Sequence, residues 1–338
     1  MLSENIVIKR TPSIELLRVL LMYGICLLHC IHAGSGNTAF VESLLLPCVN
    51  AFVFISGWFG VRFVPSKVVR LYGVQFYCIC VSILFNGRSL SFSEVAKGMS
   101  GFWFGHAYVL MMALSPLVNR VIDRIGEHDG LRTAISTCLP LWCAVFLWGY
   151  CNRIPGIRLV VPDVHGLDAY SGLTLLATYA GARFFRVLGI DKRVEIRWIF
   201  VGLLALIPLI GALHLGTYNS PFAFAFASLI FMMFSRVDMS DSSFISTIVL
   251  AVAPSMFSVY FLHMSINAFG DGQVISLSNK NGLDALSITL FVFCECLVLD
   301  VPRRLIVAFA YPFLRKVYRT IDNLYEDLVS FIAQKGEP

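Results

Sequence analysis

Long apolar runs separated by short polar segments make up nearly the whole chain. Ten of these runs hold about 18 or more mostly apolar residues, the length that a helix needs to cross the hydrocarbon core of a bilayer. Their approximate bounds are 14–32, 40–61, 68–86, 102–120, 133–151, 169–187, 197–215, 219–236, 244–269 and 284–312. The pattern predicts an all-α integral membrane protein with about ten transmembrane helices, in which residues 1–315 form a single domain.

The last residues, 316–338, follow a different pattern. Apolar residues recur there at helical spacing, with charges of both signs between them. These apolar residues are Val317, Ile321, Leu324, Leu328 and Phe331. We expect a short cytoplasmic tail that forms an amphipathic helix on the membrane surface or against the protein.

Composition agrees with a membrane protein, and charge predicts its orientation. Of the 338 residues, 57% are hydrophobic and 14% are charged, with a mean hydropathy of +0.77, which is more apolar than a soluble core of this size can hide. If the N-terminus is cytoplasmic, 21 of the 26 lysines and arginines face the cytoplasm, so the positive-inside rule places both termini there. The net charge of +5 then reflects topology, and membrane lipids rather than nucleic acid are the expected partner.

Two ionisable residues lie inside the first apolar run. His29 follows Arg18 by eleven residues, which is three helical turns plus roughly 20°, so both side chains share one helix face roughly 16 Å apart. Ionisable residues inside a membrane span are functional-site hypotheses by default, although Arg18 could snorkel to the headgroups and His29 could be structural. His29 and His32 could also hold a metal as an i, i+3 pair, but no third ligand is near in sequence, and we expect no metal.

Basic residues cluster at the predicted cytoplasmic ends of two runs. Lys67 and Arg70 are neighbours on one helix face, and Arg183 and Arg186 lie one turn apart. Such pairs are typical of positive-inside anchoring, and they also suit a phosphate-sized anion.

Further polar residues interrupt the apolar runs. They are Asn50, Ser56, Trp103, Tyr108, Ser115, His263, Glu295 and Asp300. An acid at membrane depth needs a partner, and we expect Arg18 or a buried histidine to supply it for Glu295 and Asp300.

The order and spacing of these motifs resemble the acyltransferase-3 family of polytopic membrane acyltransferases. The resemblance rests on Arg18-x10-His29, Phe52-x-Phe54-Ile55-Ser56-Gly57 and Lys67-x-x-Arg70. A closer likeness, to the branch associated with bacterial surface polysaccharides, rests on His29-x-x-His32, Asn50, Trp103-Phe104, Ala107-Tyr108, Leu114-Ser115-Pro116-Leu117, Tyr218-Asn219-Ser220-Pro221, Ala253-Pro254-Ser255, Val259-Tyr260-Phe261-Leu262-His263 and Asp300-x-x-Arg303. It covers about residues 13–305. The chain departs from the family at Lys67, where arginine is more frequent, and at His106 and Met112.

The resemblance implies an O-acyltransferase in the bacterial cytoplasmic membrane. It would move acetyl from acetyl-CoA, or succinyl from succinyl-CoA, onto a sugar hydroxyl of a surface glycan or its lipid-linked precursor, with no permanently bound cofactor. His29 would take the hydroxyl proton or accept the acyl group, because an imidazole titrates near neutrality, and Arg18 would stabilise the oxyanion or hold the donor. Lys67, Arg70, Arg183 and Arg186 would hold the coenzyme A phosphates, and His32, Asn50, Ser56, Trp103, Tyr108, Ser115, His263 and Glu295 would support the acceptor path.

A transporter or flippase for a lipid-linked glycan precursor is the main alternative function. Intramembrane ionisable residues also line transport paths, but the sequence shows no inverted repeat. A glycan polymerase is a third possibility, for which we expect a larger outer loop with more arginine.

Overall fold

The computed structural model describes residues 11–32, 38–128, 169–218, 220–240, 243–267 and 282–335, together with five positions between 136 and 144. These residues form helices and connecting segments, with no strand among them. The all-α prediction is therefore confirmed for this part of the chain. Most of the predicted run 133–151 lies outside the described residues.

Thirteen α-helices are described, most of them joined by short connections. Their bounds are α1 Pro12–His32, α2 Ala39–Leu45, α3 Pro47–Phe59, α4 Pro65–Phe85, α5 Phe92–Ser100, α6 Trp103–His128, α7 Ala169–Val187, α8 Ile190–Arg193, α9 Ile196–Ala212, α10 Pro221–Phe234, α11 Phe244–Val252, α12 Met256–Asn267 and α13 Gly282–Lys335. A single 3₁₀ turn, Ala253–Ser255, joins α11 to α12.

Five helical segments of the described chain are long and apolar enough to cross a membrane. They are Pro12–Ile31, Ala39–Phe59, Pro65–Phe85, Phe244–His263 and Ala285–Phe331. The bent pair α5 and α6, with an angle of 63° between its members, makes a sixth if it counts as one span. Helices α9 and α10 are apolar but shorter. The protein is thus a membrane protein with several spanning helices.

Helix α3 lies at the centre of the packing. It contacts α7, α10 and α1, and ten of its 13 residues are buried. A Cβ built on Gly57 would lie 2.3 Å from the Tyr179 carbonyl oxygen, so the absence of a side chain lets α7 approach the backbone of α3. The ring of Phe54 packs among aromatic rings of α3, α7 and α10. This core holds α3 and α7 in fixed register.

Helix α1 packs against α3 and also against α11, α12 and α13. The last helix, α13, contains 54 residues and is about 80 Å long, well beyond a hydrocarbon layer of about 30 Å. The predicted tail from residue 316 continues this helix to Lys335 without a break. Helix α13 therefore extends beyond the membrane-spanning part of the bundle.

Candidate active site

Two histidines from distant parts of the chain meet beside α1. His29 Nδ1 lies 2.8 Å from His263 Nε2, and the ring centroids are 4.9 Å apart. His29 is half-buried on α1, whereas His263 on α12 is completely buried. The contact forms because α1 and α12 pack directly against each other.

The hydrogen bonds of this pair fix the positions of its protons. His263 Nδ1 lies 2.9 Å from the Val259 carbonyl oxygen, which can only accept, so Nδ1 carries the proton. In the neutral ring His263 Nε2 is then an acceptor, and His29 Nδ1 donates to it. The neutral His29 ring therefore keeps its basic lone pair on Nε2. If His29 gains a proton there, its Nδ1–H can still donate to His263.

A cavity lined mainly by apolar and aromatic side chains opens beside His29. About 640 Å³ of space free of protein atoms lies within and in front of it, with the solvent at its open mouth included. The lining residues are Met22, Ile25, His29, Val49, Phe52, Gly101, Phe102, Trp103, Phe104, Tyr218, Phe257 and Tyr260. Among the described lining residues, His29 is the one with a basic nitrogen.

The corner between α5 and α6 forms one wall of this cavity. Gly101 to Phe104 all line it, and Trp103 packs against Tyr218 with ring centroids 5.6 Å apart. The Met99 carbonyl oxygen, at the end of α5, accepts from Gln75 Nε2 at 2.8 Å and from His106 Nε2 at 2.9 Å. These two hydrogen bonds anchor the corner to α4 and α6 and so position the aromatic wall.

Arg18 lies on the same helix as His29 and pairs with an acid of its own helix. Its Nη1 atom is 2.9 Å from Glu15 Oε1, and Glu15 is buried. The arginine side chain is 31% exposed.

A hydrogen-bonded pair of hydroxyls lies beside the cavity. Tyr108 Oη lies 3.0 Å from Ser56 Oγ, and Ser56 donates to the Phe52 carbonyl oxygen at 3.2 Å. Because Phe52 also lines the cavity, this pair of hydroxyls lies next to the cavity wall.

Two other predicted polar residues lie outside the cavity lining. Asn50 is completely buried and donates to Thr178 Oγ1 and to the Tyr218 carbonyl oxygen, so it ties α3 to α7 and to a cavity residue. Ser115 donates within its own helix to the Met112 carbonyl oxygen. His32 ends α1, and its side chain lies outside the described residues. Among these, Asn50 positions a residue of the site.

The four predicted phosphate-binding cations lie in two groups, apart from the cavity. Lys67 and Arg70 are exposed in the first turns of α4. Arg183 pairs with Asp123 at 2.7 Å, and Arg186 donates to the Trp58 carbonyl oxygen at 2.7 Å. Asp123 therefore balances the charge of Arg183, whereas no ion pair of Lys67 or Arg70 is found among the described residues.

The intramembrane acids differ from the expectation that Arg18 or a histidine would pair with them. Asp300, completely buried, binds Arg303 through both carboxylate oxygens, at 2.5 and 2.9 Å. Within the described residues Glu295 has no hydrogen-bond or ion-pair partner. The i, i+3 spacing on one helix explains both Asp300–Arg303 and Glu15–Arg18.

Sequence reasoning missed several residues of this region. Glu15 could have been found from its spacing to Arg18, because residues three apart are helix neighbours. Asp123 gave no sequence signal, since its partner Arg183 lies 60 residues away in a contact that only the folded bundle creates. The Val259 carbonyl lies one turn before His263 on the same helix, so the four-residue spacing could have indicated it.

Residues from α1, α3, α6 and α12 thus build one site around His29. Its chemistry is that of a half-buried base, oriented by a second imidazole and open to an aromatic cavity. Comparisons with protein-family models, with curated proteins and with solved structures gave no match.

Proposed function

We propose that the protein is a membrane O-acyltransferase. It moves an acyl group, acetyl from acetyl-CoA in the simplest case, onto a sugar hydroxyl of a surface polysaccharide or of its lipid-linked precursor. The observation that carries this proposal is that His29 lines an aromatic cavity while its Nδ1 is held by the buried His263. The order of sequence motifs supports the same reaction.

The proposed reaction needs a base because a sugar hydroxyl is a weak nucleophile. His29 Nε2 takes the hydroxyl proton while the hydroxyl oxygen attacks the thioester carbonyl. The new C–O bond forms, the C–S bond breaks, and the coenzyme A sulfur leaves with the proton that His29 releases. In the covalent variant His29 Nε2 first accepts the acyl group and then passes it to the sugar. Both variants use the hydrogen bond from His29 Nδ1 to His263.

Arg18 and the paired hydroxyls have roles in this proposal. Arg18 lies roughly 16 Å from His29 along α1, and it holds the donor on the inner side as a cation that Glu15 orients. The hydroxyls of Tyr108 and Ser56, which are hydrogen-bonded to each other, support the acceptor path. Rings such as Trp103 and Tyr218 give the acceptor a rigid apolar wall.

The proposed topology follows from the apolar runs and the basic residues. About ten spans cross the bacterial cytoplasmic membrane, and both termini are cytoplasmic. If residue 14 marks the inner boundary, His29 lies about 22 Å into a layer of about 30 Å, and Arg18 lies on the inner side. The acyl-CoA then binds from the cytoplasm, and the acyl group reaches its acceptor near the outer face.

The proposal is tested by measuring base-labile acetate and succinate on surface glycan. Cells carry the wild-type gene, His29→Ala, or no copy, and His214→Asn serves as a control because His214 is exposed and outside the site. We expect His29→Ala to lower ester content about 100-fold or more, with the control unchanged and all variants present in the membrane. Equal ester in all strains refutes acyl transfer for that glycan. Precursor trapped inside the null strain, with no change in ester, supports the flippase alternative.

A further inference from the structure

The extension of α13 beyond the bundle contacts the start of α4 at three levels. Tyr325 packs against Phe63 with ring centroids 5.4 Å apart. The Asp322 carboxylate accepts from the backbone N–H of Ser66 at 3.0 Å and from its hydroxyl at 2.8 Å. The Arg70 guanidinium lies 4.4 Å from the centre of the Tyr318 ring. Residue numbers rise from 63 to 70 at and just before the start of α4 while their partners fall from 325 to 318 on α13, so the two helices run antiparallel here.

This antiparallel arrangement determines which other side chains share one side of the crossing. Lys67 directly follows Ser66 on α4, and Arg319 directly follows Tyr318 on α13. Each residue along an α-helix is rotated by about 100° from the one before it. The side chains of Lys67 and Arg319 are therefore displaced by roughly a quarter turn, in the same sense, from the face of their helix that contacts the other helix. In an antiparallel helix pair, positions displaced in the same sense lie on the same side. Lys67 and Arg319 therefore flank one groove of the crossing beside Arg70, and Arg315 lies one turn before Arg319 on that side.

The cations of this groove have no acidic partner within the described chain. No ion pair among the described residues involves Lys67, Arg70, Arg315 or Arg319. Asp322 is the nearest acid along the helix, and its two oxygens are bound to Ser66. Glu326 lies two turns beyond Arg319 on the same side and forms no ion pair in the described chain. The groove thus has excess positive charge from two helices.

We propose that this groove binds a phosphate-bearing anion and that the C-terminal extension of α13 supplies part of the site through Arg319. Guanidinium and ammonium groups from two helices can surround a phosphate group. The proposed acyl donor carries such phosphates, and to that extent the inference rests on the proposed function. An anionic lipid headgroup has the same chemistry.

Coenzyme A binding to the full-length protein in phosphatidylcholine nanodiscs tests this site. We expect Lys67→Gln and Arg319→Gln each to weaken binding about fivefold, and Arg319→Lys to retain most of the affinity. Lys97→Gln and Arg88→Gln are the matched controls, because they remove the same charges near the opposite end of α4. The thermal unfolding midpoint of each variant checks that the protein remains folded.

The possible outcomes separate this inference from the proposed function. If Lys67→Gln weakens coenzyme A binding but Arg319→Gln behaves like the controls, α13 has no part in the site, while a donor site at α4 remains. If the wild type binds no coenzyme A, native mass spectrometry measures phosphatidylglycerol retained from mixed nanodiscs. Loss of that lipid in Arg319→Gln supports an anion site for lipid and contradicts the donor assignment. Retention of neither anion by the wild type overturns the inference.

Discussion

His29 donates from Nδ1 to His263 Nε2 over 2.8 Å although 234 residues separate them in the chain. His263 in turn donates to the Val259 carbonyl oxygen, so a backbone group of α12 sets the proton positions of both rings. Partners of this kind orient a base and stabilise its protonated form. In the proposed reaction the buried His263 positions His29, whose Nε2 atom is the reacting one.

The first prediction concerns this partner histidine. His263→Leu removes the acceptor for His29 Nδ1 and frees the ring to adopt other orientations, so we expect ester formation to fall about 10- to 100-fold. His263→Gln places an amide oxygen that can accept from His29, and we expect it to restore part of the activity. Ester content of surface glycan, normalised to protein in the membrane, measures both variants.

A simple loss of packing would give a different result. If His263→Leu and His263→Gln reduce activity equally while both retain the wild-type unfolding midpoint, the acceptor at this position has no role. Activity close to wild type in both variants would show that His29 does not depend on its partner.

The second prediction concerns the close contact between α3 and α7. Gly57→Ala places a Cβ 2.3 Å from the Tyr179 carbonyl oxygen, which is backbone and cannot move without shifting α7, so we expect destabilisation by about 1–3 kcal/mol. Gly73→Ala is the matched control, because nothing lies within 4 Å of its Cβ and alanine favours the helix. Unfolding in mild detergent measures both. Equal stability of the two variants would show that α3 and α7 do not pack this closely.

How much of this structure the sequence predicts depends on how far apart in the chain the interacting residues lie. The 3.6-residue repeat places Arg18 and His29 on one face of α1, and the same rule yields Glu15–Arg18 and Asp300–Arg303, because their partners lie within one turn. The bond from His29 to His263 depends on how α1 and α12 pack. No local pattern in the sequence encodes that packing, although each histidine stands out on its own as an ionisable residue in an apolar run.

Helix ends are predicted less well than helices, for a related reason. Leu213 and Leu215 continue the apolar run past the end of α9 into a turn, so the run 197–215 extends beyond its helix. The run 219–236 includes polar residues on both sides of α10, where Ser220 caps the start of the helix and Ser235 follows its end. The corner between α5 and α6 is fixed by hydrogen bonds from Gln75 and His106 to Met99. Those bonds, like the contacts of α13 with α4, form only when separate helices meet.

The third prediction concerns the contact of α13 with α4. Asp322→Ala removes the acceptor for the Ser66 backbone N–H, one of the amides that a helix start leaves without an internal partner. We expect a loss of about 1 kcal/mol in local stability and faster amide exchange over residues 63–70 and 318–330. Asp327→Ala is the control, because Asp327 is an exposed acid on the same helix. Hydrogen exchange measured by mass spectrometry resolves both segments, and unchanged exchange in Asp322→Ala contradicts the contact.

The last prediction concerns the buried ion pair of α13. Asp300 is completely buried, and Arg303 binds both of its oxygens. Arg303→Leu leaves the carboxylate buried without its cation, so we expect destabilisation by about 3–5 kcal/mol. Asp300→Asn combined with Arg303→Leu removes the uncompensated charge and restores most of that loss, because the large cost comes from breaking the pair rather than from lacking it. Thermal unfolding of the purified single and double variants measures the coupling. Additive losses in the double variant would mean that the two side chains do not stabilise the protein as a pair.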